Sequence, residues 1–375
     1  MKAAWRVAGI VGGLVGAVVT GTVVGLAARG LRRDGRSPEE TGERPEPVVT
    51  DPYRWPRPDR EFTVAADDGL PLSVEETDPA DGGDPDLTVV LVHGYTVDRR
   101  CWYFQRRTLA ELGRRPGEPR VRVVAYDQRS HGRSGRGPRE SCTLDQLGRD
   151  LDAVLRVVAP TGPVVLVGHS MGGMTIMALA EQHPELFLER VVGVALIGTS
   201  AGELGRQGLP RPVLSRYNPV TLGLGRLAGW QPDLVERTRR VGNNLTWGLV
   251  RALAFGSRQV DPHLVELVHR MIAETPVTVI THFLETLGTH NRYAALAALR
   301  QCQVLVLSGD ADRLTPFSHS TVIAEALPDA ELVRVPGAGH MVMLERPELV
   351  DRELVDLLRR CHDSGAAGEW VGKEA

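Results

Sequence analysis

The sequence predicts an α/β protein built on a mostly parallel, eight-stranded sheet with helices on both faces. Short apolar segments rich in β-branched residues alternate with longer amphipathic segments from about residue 61 onward. Such alternation is typical of parallel strands joined by helical crossovers. Glycine-rich polar stretches follow several of these strands, and the length of 375 residues suits one large domain with additional segments.

Each predicted strand is a short apolar run. The first two strands are joined by Asp67-Asp68-Gly69, so we expect an antiparallel pair at one edge of the sheet. The predicted strands are Glu61–Ala65, Ser73–Thr77, Thr88–Val92, Val121–Tyr126, Val164–Val167, Val191–Ile197, Val304–Ser308 and Glu331–Val335.

Helices are predicted between these strands and after the last one. They are Cys101–Leu112, Leu144–Val158, Met171–Gln182, His319–Ala326 and Glu348–Arg360.

The alternation stops between strands 6 and 7. Residues 201 to 300 include helical segments, among them Pro262–Thr275 and Val277–Leu287, but no convincing buried strand. An insertion of this length is too long for a loop. We therefore expect a helical cap over the site, of the kind that controls substrate access.

The amino terminus carries an apolar segment, Val7 to Ala28, which contains no charged residue and is followed by four arginines. It is long enough to cross a bilayer as a helix. We predict that residues 1–33 form a single-pass anchor in the cell membrane, and the flanking charges favour a cytoplasmic catalytic domain. The alternative is a signal segment cleaved near Ala27-Ala28, which would give a secreted protein.

The rest of the chain divides by composition. Residues 34–60 are rich in proline and charge and are expected to be a linker, residues 61–362 to form the catalytic domain, and residues 363–375 to be a flexible tail. The net charge of −3 gives no reason to expect nucleic acid as a partner.

The four cysteines have no disulfide or zinc spacing, and we expect no metal and no cofactor. The oligomeric state is left open.

Gly168-His169-Ser170-Met171-Gly172 lies between an apolar strand and a predicted helix. A Gly-x-Ser-x-Gly in this context is a nucleophile elbow, a tight turn that exposes the serine hydroxyl at a helix amino terminus. Glycine at the flanking positions lets strand and helix approach. Ser170 is therefore the predicted nucleophile.

A serine nucleophile needs a base and an acid that orients the base. His340, in a glycine-rich loop directly after the last strand, is the predicted base. The acid is Asp310 or Asp312, since both follow the strand that begins at Val304. The order serine, acid, histidine along the chain agrees with this assignment.

The oxyanion requires two backbone N–H donors. Met171, directly after the nucleophile, is one candidate, and Tyr95, which follows Gly94 after the third strand, is the other. We expect His93 and His169 to be structural, with His169 pointing away from Ser170.

Taken together, these residues resemble the α/β-hydrolase superfamily over roughly residues 61 to 362. Its motifs are matched in order by His93-Gly94-Tyr95, Asp127 to Ser134, Gly168 to Gly172, Gly309 to Pro316 and Gly339-His340. The resemblance implies the α/β-hydrolase fold and assigns the acid to Asp312. The polar run of Asp127 to Ser134 itself fits a catalytic loop or a hydrogen-bonded turn that braces the site, and we expect the turn.

Ser170 stands where dehalogenases and epoxide hydrolases of the superfamily have aspartate, so the resemblance is to its serine hydrolases. Gly309 to Leu314 is similar to monoacylglycerol lipases, and the overall pattern to small bacterial carboxylesterases and cofactor-free haloperoxidases. The glycine-rich lipase loop is absent, because Tyr95 follows a single glycine.

The predicted function is a serine hydrolase of the carboxylesterase or lipase type, acting on small-molecule esters or lipids with hydrophobic acyl groups. The same triad could serve perhydrolysis, thioester or carbon–carbon bond hydrolysis, or acyl transfer. A non-catalytic binding protein on a hydrolase scaffold is the remaining alternative.

Overall fold

An eight-stranded sheet forms the centre of the computed structural model, which describes residues 52–79, 82–204, 243–257 and 259–366. The strands are β1 (Arg60–Ala65), β2 (Pro71–Thr77), β3 (Leu87–Val92), β4 (Val121–Tyr126), β5 (Val164–His169), β6 (Val191–Ile197), β7 (Gln303–Gly309) and β8 (Glu331–Val335). They lie in the order β1-β2-β4-β3-β5-β6-β7-β8. Strand β2 is antiparallel to β1 and β4, and the remaining neighbours are parallel. The predicted eight-stranded sheet and its antiparallel edge pair are confirmed.

Helices cover both faces of the sheet. They are α1 (Tyr103–Leu112), α2 (Leu144–Val158), α3 (Met171–Gln182), α4 (Leu186–Glu189), α5 (Asn243–Ala254), α6 (Pro262–Glu274), α7 (Val277–Gly288), α8 (Leu296–Leu299), α9 (Phe317–Ala326), α10 (Val342–Glu345) and α11 (Pro347–Ala366).

Two apolar cores result from the alternation of side chains along each strand. In β3, Val89 and Leu91 face a cluster that includes residues of α1 and α11. Val90 and Val92 face the opposite cluster, with residues of α2, α3 and α9. All four side chains are fully buried. The continuous apolar sequence of β3 is therefore explained by helices that cover the strand on both faces.

Helices α5, α6 and α7 lie between β6 and β7, in the predicted cap region. Residues 205–242 of that region lie outside the described residues, as do residues 1–51, which include the predicted anchor and most of the predicted linker. Among the helices that the structure does describe, none combines the length and the apolar character needed to span a bilayer.

The last residues of the predicted linker pack on the domain. The Tyr53 hydroxyl donates a hydrogen bond of 2.6 Å to Asp261, the N-cap residue of α6. Its ring lies edge-on to Tyr103 and Phe104 of α1. Trp55 donates to the buried Glu75 of β2. Tyr53 and Trp55 are therefore part of the fold, although their composition indicates a linker.

Candidate active site

Ser170 lies in the turn between β5 and α3, with a φ of +52°. A residue with a side chain rarely adopts this conformation, and it costs free energy that the surrounding fold must offset. A Cβ on Gly172 would lie 2.1 Å from the Val92 carbonyl oxygen, and one on Gly168 would lie 2.6 Å from the Gly173 nitrogen. Only glycine allows this close approach of strand and helix.

His340 and Asp312 form a buried pair at the carboxyl ends of the neighbouring strands. His340 Nδ1 lies 2.8 Å from Asp312 Oδ2, and the carboxylate side chain is fully buried. A carboxylate only accepts hydrogen bonds, so Nδ1 carries the proton. The Nε2 lone pair of His340 is consequently available to accept a proton.

The other candidate acid, Asp310, lies elsewhere. Its Oδ1 accepts a 2.7 Å hydrogen bond from the Gly337 backbone N–H, in the turn that follows β8. Asp310 therefore fixes the turn, while Asp312 contacts the imidazole.

Thr315 is a site residue that the sequence did not single out. Its hydroxyl lies 2.9 Å from Asp312 Oδ2, 3.2 Å from His340 Nδ1 and 2.8 Å from the Gly198 carbonyl oxygen. The backbone N–H groups of Leu314 and Thr315 donate to Asp312 Oδ1 at 2.8 and 3.0 Å. The carboxylate is thus held on both oxygens, which fixes its orientation toward His340.

The two predicted oxyanion donors border the nucleophile. Met171 is the first residue of α3, and Tyr95 follows the end of β3. In the described part of the chain, neither backbone N–H donates a hydrogen bond. The Tyr95 hydroxyl donates to the Ile280 carbonyl oxygen in α7, so its side chain connects the loop after β3 to the cap.

A cavity of about 110 Å³ brings these groups together. Ser170, His340, Thr315 and Tyr95 all contribute to its wall. The rest of the wall is mainly apolar. It includes Met174 of α3, Met341 beside His340, and five residues of the cap region, namely Leu204, Ala254, Val268, Ile272 and Leu287. The cavity therefore joins the predicted nucleophile and the predicted base to an apolar space that cap residues help to line.

His169 lines the same cavity as Ser170, contrary to the expectation that it points away. Its Nε2 donates a 2.9 Å hydrogen bond to the His340 carbonyl oxygen, and the two rings lie 4.7 Å apart. Burial, and then the neighbouring His340, lower the pKa of the His169 imidazole well below its ordinary value. A neutral His169 adds no positive charge beside the base.

The remaining motifs brace the site. His93 Nε2 accepts a 2.8 Å hydrogen bond from the Gln128 backbone N–H, and the ring is fully buried. Asp127 accepts from the backbone N–H groups of Arg99 and Arg133 at 3.0 and 2.9 Å. These contacts fix the loops after β3 and β4 to one another.

This arrangement of strands, elbow and acid–base pair has relatives among known proteins. A sequence profile of the alpha/beta hydrolase family matches residues 89–353. The chain belongs to the alpha/beta hydrolase family. The match covers the sheet from β3 onward, the cap region and both halves of the site. The predicted resemblance is confirmed at this level.

Curated relatives of this hydrolase include two lipases. A monoacylglycerol lipase of Mycolicibacterium smegmatis is 29% identical, with 70% of this chain and 84% of the relative covered. An sn-1-specific diacylglycerol lipase of Mus musculus is 27% identical, with 74% and 82% covered. The dihydrolipoyllysine-residue acetyltransferase component of the acetoin cleaving system of Pseudomonas putida is 26% identical over 74% of this chain, which spans only 65% of that protein.

A solved structure, the thermophilic esterase of Thermogutta terrifontis, superposes with a TM-score of 0.62 at 26% identity. The similarity covers 81% of this chain and 99% of the esterase. Together with the lipases, it supports an enzyme of the alpha/beta hydrolase class.

Proposed function

We propose that this hydrolase cleaves carboxylic esters of hydrophobic acyl groups through a Ser170-His340-Asp312 triad and an acyl-enzyme. The observation that carries the proposal is the 2.8 Å contact between His340 Nδ1 and Asp312 in a cavity that Ser170 also lines. This contact leaves Nε2 of His340 as the acceptor for the serine proton, as general-base activation of a serine requires.

In the first half of the reaction, Ser170 Oγ bonds to the acyl carbonyl carbon while its proton passes to His340 Nε2. The carbonyl π electrons move to the oxygen, which the N–H groups of Tyr95 and Met171 stabilise. The carbon–oxygen bond to the alcohol then breaks, and His340 returns its proton to the leaving alkoxide.

In the second half, His340 takes a proton from water as the water oxygen attacks the acyl carbon. Collapse of the second tetrahedral intermediate breaks the bond to Ser170, which regains its proton from His340. The products are a carboxylic acid and free enzyme. Asp312 stays ionised throughout and stabilises the imidazolium formed at each step.

The apolar cavity wall under the cap supports a hydrophobic acyl group as substrate. The names of the mouse and mycobacterial relatives, a diacylglycerol lipase and a monoacylglycerol lipase, point to glycerol esters as first substrates to assay.

The test compares Ser170→Ala with Ser141→Ala, a serine that does not line the cavity. We expect Ser170→Ala to lower kcat on p-nitrophenyl esters by about a millionfold, as in other serine triads, and Ser141→Ala to leave it unchanged. A fluorophosphonate probe should label the wild-type protein and Ser141→Ala but not Ser170→Ala. Comparable turnover by Ser170→Ala would exclude the triad, and folded wild-type protein that resists the probe would favour a non-catalytic scaffold.

Parallel rates on an oxygen ester, its thioester and a peracid-forming mixture identify the reaction. A higher kcat/KM for the oxygen ester is the expected result. A preference for the thioester or for peracid formation would keep the triad but change the activity.

We also propose that residues 1–33 attach the protein to the cell membrane as a single span. The uncharged run from Val7 to Ala28, followed by four arginines, supports it. The full chain should sediment with membranes while a chain without residues 1–33 should not, and a protease added outside intact cells should leave the hydrolase domain uncut. A shortened protein in the medium would instead identify a cleaved signal.

A further inference from the structure

A single buried carboxylate connects the loop that carries His340 to the cap. Glu345 is the last residue of α10, the one-turn helix that begins two residues after His340. Its Oε2 accepts hydrogen bonds from the backbone N–H groups of Gly339 at 2.8 Å and Gly256 at 2.9 Å. Its Oε1 accepts a third, of 2.6 Å, from Ser257. Gly256 and Ser257 lie just beyond cap helix α5, separated from its last residue, Ala254, by Phe255.

The two backbones meet without side chains between them. A Cβ on Gly339 would lie 2.4 Å from the Gly256 nitrogen, and a Cβ on Gly256 would lie 2.3 Å from the Gly337 carbonyl oxygen. At this separation no other side chain fits between the loops, so the Glu345 carboxylate is the group that satisfies their N–H donors.

The peptide groups on both sides of His340 are fixed by these contacts. Glu345 holds the N–H of Gly339 before it, and the Met341 N–H after it donates a 2.8 Å hydrogen bond to Ala254 at the end of α5. The carbonyl oxygen of His340 accepts from His169. Of these partners, Glu345 is the only one that binds the histidine loop and the cap with the same side chain.

We propose that Glu345 is a positioning residue that sets the placement of His340 relative to Ser170 and holds helix α5 in the cavity wall. The inference rests on the proposed function, since it concerns the base of that reaction. Glutamate is required because its two oxygens both accept hydrogen bonds. Glutamine offers one acceptor oxygen. Its amide NH2 group would face at least one of the backbone N–H donors that the Glu345 carboxylate accepts from.

The experiment measures Glu345→Gln beside a matched control, Glu348→Gln, which makes the same change at an exposed position of α11. Active sites are titrated by fluorophosphonate labelling run to completion, and kcat is expressed per labelled site. We expect Glu345→Gln to keep its full complement of sites but to lose about 100-fold in kcat, the order of loss for a misplaced catalytic group. The rate of labelling should fall with kcat, because both need His340 to take the proton of Ser170.

A purely structural role for Glu345 gives a different result: fewer titratable sites, each with wild-type kcat. That outcome overturns the inference. A kcat per labelled site equal to that of Glu348→Gln also overturns it. If Glu345→Gln does not fold, Glu345→Asp decides, since it keeps the charge but is one methylene shorter. We expect reduced kcat per site for the aspartate variant, and wild-type kcat per site would contradict the inference. Activity in Ser170→Ala would instead refute the proposed function itself.

Discussion

At the scale of single residues, the site depends on which nitrogen of His340 carries the proton. Asp312 places it on Nδ1, and the Thr315 hydroxyl and two backbone N–H groups hold the carboxylate in the required orientation. In the proposed mechanism, these contacts orient His340 as the base before a substrate binds.

Replacement of Asp312 gives the sharpest test of whether this carboxylate orients His340. We expect Asp312→Asn to lower kcat by about 10⁴-fold, because the amide can stabilise the wrong tautomer of His340 and no longer stabilises the imidazolium. Asp310→Asn is the matched control, since the Asp310 carboxylate accepts its hydrogen bond from the turn at Gly337 and does not contact His340 in the described part of the chain. Ester hydrolysis by both variants is the measurement, and equal loss in the two would show that the acid is misassigned.

Thr315→Val tests the hydroxyl that lies against both Asp312 and His340. The valine keeps the shape of threonine but removes a hydrogen-bond donor, and the two backbone donors to Asp312 remain. A fall in kcat of about 10-fold, equivalent to one hydrogen bond of about 1.4 kcal/mol, is expected with little change in KM. A purely packing role would leave kcat intact.

The sequence identified some of these residues clearly, left others ambiguous and did not indicate the rest. Ser170 and His340 lie in motifs whose glycines indicate their conformation. Asp312 and Asp310 both follow β7, so spacing alone left them equivalent. Thr315 and Glu345 act through contacts with distant segments, at Gly198 and at Gly256. No local pattern reveals which threonine or glutamate of the chain will meet such partners.

At the scale of elements, strand β3 and helix α3 are packed closer than side chains permit. The contact depends on Gly172, whose Cα faces the Val92 carbonyl oxygen. Because an added methyl would overlap backbone that has little room to move, the elbow tolerates no residue but glycine there.

Gly172→Ala should therefore lower the free energy of unfolding by about 3 kcal/mol or more, the range of overpacking at a rigid contact. Gly248→Ala, within α5, is the control: a Cβ there meets nothing within 4 Å. It should raise the free energy of unfolding by about 0.5–1 kcal/mol through helix propensity. Urea unfolding of both variants measures the difference, and a neutral Gly172→Ala would mean that β3 and α3 can separate.

Helices and strands were predicted well where the hydrophobic periodicity and the glycine or proline residues at the element ends agree. Helices α2 and α3 have the predicted bounds, and β4, β6 and β8 do as well. The packing of Tyr53 and Trp55 was not predicted, because a proline-rich stretch resembles a linker whether or not its aromatic rings find partners. The path of the cap was not predicted either, since amphipathic helices without a motif fit many arrangements.

At the scale of the whole molecule, several histidines are buried and uncharged. Burial lowers the pKa of His131 to about 3 and that of His290 to about 4. In an unfolded chain histidine has a pKa near 6.5. Between these values the unfolded chain binds more protons than the native protein, so the free energy of unfolding falls as the pH falls from about 7 toward 4.

His290→Gln isolates one of these groups, since glutamine can still donate to the Ser200 carbonyl oxygen that His290 Nε2 contacts at 2.7 Å. Urea unfolding at pH 5, 6 and 7 should show a pH slope smaller than wild type by about 1.4 kcal/mol per pH unit below pH 6. Ser141→Ala, which removes no titratable group, is the control and should leave the slope as it is. An unchanged slope for His290→Gln would show that His290 binds protons equally in the native and unfolded states, so that burial does not lower its pKa.

The bond between Tyr53 and Asp261 has a mechanical consequence. Asp261 caps α6, and α6 supplies Val268 and Ile272 to the cavity wall. A force applied to the chain before residue 52 would reach this hydrogen bond, and through it the helix that lines part of the cavity. Tension at the amino terminus would thus act on the cavity that Ser170 lines as well as on the sheet.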